Sequence, residues 1–175
     1  MKFLSLALLS LLVAGCATRQ IYEIYASKPN DPIVFVQSTV DMGGTARHLS
    51  GTYFSAKYAN DANECESLFA TKLEDPISKE ELLADIESSH GWHAPAGRRL
   101  DVAVSHSRTY GGSFLRSERC PAIQLGLIPE VGGKYLVEFS QMGNSCTARI
   151  FDFRDPKNPK PVASLEPKAP ACTKK

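Results

Sequence analysis

The chain carries almost no net charge: 20 Lys and Arg stand against 19 Asp and Glu, and one of the cations, Lys2, sits at the very N-terminus. A nucleic-acid binder needs a basic stripe, so no nucleic acid is expected as a partner. No Cys-x-x-Cys occurs among the 5 cysteines, which removes the compact redox and zinc spacings. There is no Gly-x-Ser-x-Gly either, and Ser113 and Ser117 have no His at a motif-defined distance. Beyond the first 16 residues no apolar run approaches the length needed to cross a bilayer. The single Trp, Trp92, suits a core or helix-packing position better than a ligand platform. No catalytic residue, metal or cofactor is expected on these grounds.

What the chain does have begins at its first residues. Lys2 leads into the apolar run Phe3 to Val13, followed by Val13-Ala14-Gly15-Cys16. A basic start, a short apolar stretch and small residues at a cleavage point are the parts of an export signal, and the run is too short for a finished membrane helix. The tetrad resembles the lipobox of bacterial lipoprotein precursors, with Val13 where Leu is more usual. The resemblance implies that residues 1–15 are a signal peptide, that the Cys16 thiol carries diacylglycerol, and that Cys16 becomes the acylated mature N-terminus. Each buried lipid methylene contributes about 0.8 kcal/mol, so two or three chains anchor essentially permanently. In the sorting rule of that family, Asp after the Cys retains a protein in the inner membrane; Ala17 stands there, which implies the outer membrane, facing the periplasm.

Apart from Cys16, an even set remains: Cys65, Cys120, Cys146 and Cys172. In an exported chain they read as two disulfides. Four cysteines allow three pairings. If 122–127 and 134–140 form a hairpin and 146–153 follows as the next strand, Cys120 and Cys146 emerge at the same end of that meander. Cys120–Cys146 is therefore the favoured pair, leaving Cys65–Cys172.

Along the chain, residues 16–31 read as a lipidated tether that becomes ordered late, residues 32–154 as one domain, and residues 155–175, with prolines at 156, 159, 161, 167 and 170, as a Pro-rich tail. Only 162–165 of that tail could form a strand. Ile33-Val34-Phe35-Val36 followed by Gln37-Ser38-Thr39 is a strand by propensity and length. Residues 47–57 suggest a second, interrupted or bulged at Gly51. From Asp75 to about Glu87 the period becomes helical, with Pro76 at the first helical position, capping-box spacing between Ser78 and Glu81, and a stripe of Leu82, Leu83 and Ile86. This helix should cover an open end or face of a sheet. After the turn Pro95-Ala96-Gly97, Leu100, Val102 and Val104 alternate as in a half-buried strand, and residues 107–119 read as a long polar loop.

Seven or so short strands and one small helix point to a mainly β chain, an antiparallel β-sandwich. The stretch from Pro95 to Ile150 also resembles the transthyretin-like or immunoglobulin-like domains of periplasmic lipoproteins, through Ala96-Gly97 before a strand, Cys120, Pro129-Glu130-x-Gly132-x-x-Tyr135 and Cys146.

Three constellations invite chemistry. His90-Gly91-Trp92-His93 would put two imidazoles on one metal if it turned helically, with Cys, Asp or His106 completing the shell, but Gly91 opposes helix and no third ligand has a recognisable spacing. Arg98-Arg99 could meet an anionic headgroup or peptidoglycan carboxylates, or simply be solvated at the start of a strand. Glu64/Glu66 and Glu80/Glu81 read as solvated charges. The reading that results is a non-enzymatic, lipid-anchored periplasmic lipoprotein with a binding or envelope-assembly role, its partners being the membrane and an envelope protein or peptidoglycan. The alternatives are a periplasmic inhibitor or ligand-binding module and, less in keeping with the residues, a small metal-dependent enzyme.

Overall fold

The computed structural model describes residues 25–40, 51–62, 64–73, 78–110, 116–142 and 145–166. These are mainly β: strands β1 (Ile33–Ser38), β2 (Gly51–Ala59), β3 (Cys65–Leu73), β4 (Trp92–His93), β5 (Leu100–Tyr110), β6 (Arg116–Leu127), β7 (Lys134–Met142), β8 (Ser145–Asp152) and β9 (Lys160–Val162), with helix α1 (Lys79–Ser88) between β3 and β4. They form a five-stranded sheet in the order β4-β1-β7-β8-β9 and a four-stranded sheet in the order β3-β2-β5-β6. One apolar core fills the space between them.

Period-two alternation builds that core. Leu100, Val102 and Val104 of β5 and Leu125 and Leu127 of β6 face Val34, Val36, Val137, Phe139 and Ile150 of the other sheet. β1 is apolar at four successive positions because both of its faces are buried. Val34 and Val36 point into the sandwich, while Ile33 and Phe35 meet Leu82 and Ile86 of α1, together with Leu136 and Phe153. The helix thus covers the outer face of the five-stranded sheet. Ser78 caps its start and Glu81 closes the capping box, as the spacing predicts, although the helix begins at Lys79 and Pro76 lies outside the described residues. At its other end the Lys134 ammonium of β7 donates to the Ile86 carbonyl at 2.8 Å, placing a cation at the negative end of the helix.

Four expectations need correction. The sandwich is not wholly antiparallel: β1 and β7 run parallel from Ile33↔Lys134 to Ser38↔Phe139. Such a pair needs a long crossover, and all of β2 to β6 lies between the two strands. Nor do 122–127 and 134–140 form a hairpin. β6 pairs with β5 and β7 with β8, in different sheets, because the connection through Ile128, Pro129 and the turn at Gly132 (φ 68°) crosses from one layer to the other. The long loop expected over 107–119 is largely strand: β5 runs to Tyr110 and β6 starts at Arg116, since backbone pairing tolerates a polar sequence. Finally, the interruption or bulge expected at Gly51 falls at the first described residue of β2, which pairs with β5 without a break from Gly51 to Tyr58, and the extra residue lies in β3. The register of β2 against β3 shifts between Ala56 and Lys57, where Leu68 and Phe69 of β3 are both buried, and the residues before Gly51 lie outside the described set.

Strands β3 and β4 were not foreseen. Both are edges, and they meet across the core where Trp92 stacks on Phe69 with ring centroids 4.4 Å apart. The Pro-rich stretch also adds to the fold. β9 pairs with β8, and Leu165 bridges to Gly126 of β6.

Candidate binding cleft

The sandwich has two dissimilar poles. At one, the 38, 52 and 106 positions come together with the cystine. Cys120 of β6 and Cys146 of β8 are bonded, with Cα atoms 6.0 Å apart, and so the bridge staples one sheet to the other rather than two strands of one meander. Beside it the Thr52 hydroxyl lies 2.7 Å from the Ser38 hydroxyl and 2.9 Å from His106 Nδ1, and the His106 ring stacks on Phe139. All three polar side chains are buried, so this group joins the layers and is closed to a substrate.

The other pole holds a cleft of about 510 Å³ lined by three segments distant in sequence. The first is the chain before β1. Lys28-Pro29-Asn30-Asp31 turns with Asn30 at φ 66°, the Asp31 amide donates to the Lys28 carbonyl at 3.1 Å, and the Asp31 carboxylate accepts from the Lys28 amide at 2.6 Å. Pro followed by a residue tolerant of positive φ is the chemistry of a type II turn. The turn is tied down where the Gly132 amide donates to the Asn30 carbonyl at 2.7 Å. Tyr25, read as part of a tether, packs on the core with its ring edge-on to Tyr58, centroids 5.7 Å apart.

The second segment is the β2–β3 turn. The Asn60 side-chain oxygen accepts from the amides of Ala62 and Glu64 at 3.0 and 2.9 Å, and its amide group donates to Glu66 at 2.7 Å. The Tyr58 hydroxyl donates to the other Glu66 oxygen at 2.5 Å. The third segment, Pro95 to Arg98, brings a guanidinium that donates to the Ala59 carbonyl at 3.0 Å and pairs with Asp61.

These contacts set the local acid–base behaviour. Burial pushes the Tyr58 phenol up to about 12, helped by the hydrogen bond to Glu66, and burial raises Tyr25 as well, with Asp31 adding to the effect. Tyr58 and Asn60 hold the Glu66 carboxyl below its ordinary range, and the bond from Arg98 to Asp61 raises the guanidinium further above neutrality. At neutral pH the cleft therefore presents an ionised Glu66 carboxylate beside protonated phenols.

The residues singled out in the sequence are scattered. Cys16 and Cys172 lie outside the described residues, and Cys65, at the start of β3, is disulfide-bonded. His90 follows the helix and meets the Ser88 hydroxyl at 3.0 Å, His93 lies on β4, and His106 is buried at the far pole, so the three imidazoles share no site. Among the described residues no three His, Cys, Asp or Glu side chains converge as metal ligands. Gly91 is explained by packing: a Cβ there would lie 2.8 Å from the Val34 carbonyl oxygen and 2.9 Å from the Phe35 ring. Ser113 lies outside the described residues, and Ser117 is on β6 opposite Thr109. Arg98 does line the cleft, whereas Arg99 turns to Asp101 and the Glu166 carbonyl. Glu66 belongs to the cleft and is not merely a solvated charge. Tyr25, Tyr58 and Asn60 were missed, because they meet only when three separate segments fold together.

Among the described residues no helix is long and apolar enough to cross a membrane. Comparison with protein-family models gives no match, and neither the curated proteins nor the solved structures yield one.

Proposed function

We propose that the protein is a non-enzymatic, lipid-anchored lipoprotein of the outer membrane that works by binding an envelope component in the cleft between Tyr25, the β2–β3 turn and Arg98. One observation carries the reading: Tyr25, which lines the cleft, follows Cys16 by only nine residues. Even fully extended, nine residues span about 30 Å. An acylated Cys16 would hold this pole against the membrane and leave the paired ends of β5 and β6, Tyr110 opposite Arg116, at the opposite pole. The transthyretin-like or immunoglobulin-like assignment of the sandwich, and the second bridge from Cys65 to Cys172, belong to the same proposal.

Its test is fractionation of cells producing the native chain and the Cys16→Ser variant. The native chain should be extracted from membranes only by detergent, and the variant should accumulate as a longer, uncleaved precursor. A variant that matures and stays with the membrane would refute the anchor.

A further inference from the structure

We infer that the cleft takes an uncharged, hydroxyl-rich ligand, a glycan chain of the envelope, and not an ion. This rests on the binding role proposed above. The bonding capacity that remains after the cleft residues have satisfied one another sets the ligand's chemistry.

An anion would need a cation to spare. The guanidinium that faces the cleft, Arg98, already pairs with Asp61 and donates to the Ala59 carbonyl, and the one further cation of the lining, Lys28, stands among the carboxylates Asp31, Asp61 and Glu66, so an anion would meet an excess of negative charge. A cation would need an uncompensated carboxylate. Glu66 already accepts from Tyr58 and Asn60, Asp31 from the Lys28 amide and Tyr25, and Asp61 from Arg98. Three carboxylates against Arg98 and Lys28 leave the lining close to balanced.

What remains is mostly acceptor capacity. Each ionised carboxylate offers about four lone-pair sites, of which these contacts use one or two, and a phenol that has donated its proton can still accept. The Asn60 side-chain oxygen, by contrast, is occupied by two backbone amides. The ligand that fits carries many donors and no net charge. Sugar hydroxyls meet that description, and each can accept in turn from Lys28 or Arg98. The Tyr25 ring, braced edge-on by Tyr58, supplies an apolar wall for the C–H face of a pyranose. The volume lies within the range of small-molecule sites.

The experiment titrates the full-length protein in detergent micelles with chitotetraose, using spermidine and inorganic phosphate as charged comparators, by calorimetry. Saturable binding of chitotetraose alone is expected. Binding should weaken at least tenfold in Glu66→Ala and in Asp61→Ala, both exposed positions whose loss leaves the core intact, and should be unchanged in Lys72→Ala on the outer face of the four-stranded sheet. The inference is overturned by tighter binding of either ion, by no saturable binding of chitotetraose, or by equal affinity in the two cleft variants with unaltered melting. Intact mass of the same sample separates the two proposals. Unacylated protein that binds chitotetraose refutes the anchor and not the cleft; acylated protein that fails to bind refutes the cleft and not the anchor.

Discussion

Replacing Thr52 with Val should cost far more than the loss of one surface hydroxyl, because Thr52 is the middle of a polar bridge between the sheets. Its hydroxyl meets Ser38 Oγ at 2.7 Å and His106 Nδ1 at 2.9 Å, and the three residues are 1%, 4% and 2% exposed in the order Thr52, Ser38, His106. Val keeps the branched shape, so the cavity contribution is small. The substitution removes two hydrogen bonds and takes from two buried polar groups a partner that water cannot replace. At about 1 kcal/mol per bond plus the desolvation penalty of stranded groups, the loss is about 2–4 kcal/mol. For a chain of this length that lowers the melting temperature by about 5–15 °C. Thr52→Ser retains the bridge and loses one methyl, a cost of about 1 kcal/mol. Urea unfolding of the oxidised protein, with an unchanged slope, measures both. A Thr52→Val variant within about 0.5 kcal/mol of wild type, or a Ser variant weaker than the Val variant, would refute the reasoning, since about 0.5 kcal/mol is the effect of an ordinary surface substitution.

Replacing Cys120 and Cys146 together by Ala opens a loop with a sequence separation of 26 and should destabilise by about 3.5 kcal/mol in the chain-entropy model, read in the same urea assay. Gly91→Ala should cost about 1–3 kcal/mol, because the new Cβ meets the Val34 carbonyl and the Ile33 and Phe35 side chains; melting at wild-type temperature would count against that packing. The fold raises the Tyr58 phenol to about 12, so it favours the neutral form: this contribution to stability is fully present below the ordinary tyrosine pKa of about 10 and is lost as pH rises towards about 12. A phenolate absorbance titration that lacks a step near pH 12 in Tyr58→Phe, with the step present in wild type, is the expected result.

How far the sequence revealed the fold depended on whether a feature was local. The capping box of α1 was readable because Ser78 and Glu81 are three residues apart. β1 was readable from four successive β-formers, and the alternation of 100–104 marked β5. The parallel partner of β1 was not, since the 33–38 and 134–139 segments carry the same pattern whichever way they run. β3 was hidden because Leu68 and Phe69 fall side by side at a bulge and break the alternation expected of a strand. The Cys120–Cys146 pair was anticipated from a meander that does not exist. The two residues meet because β6 and β8 face each other across the core, and not because they share a sheet. Of the cleft, only Arg98 and Glu66 stand out in the sequence, one in a basic pair and the other as a solvated carboxylate. Neither Tyr25 nor Asn60 carries a motif, and their roles arise from the turns that hold them.

The most direct test of the account is the mass of the N-terminal tryptic peptide from protein extracted out of the membrane. Cys16-Ala17-Thr18-Arg19 should appear with its thiol and amine acylated, and no peptide from residues 1–15 should be found in the mature protein. An unmodified Cys16 peptide, or a mature chain that still begins at Met1, would contradict the anchored lipoprotein and with it the placing of the cleft at the membrane.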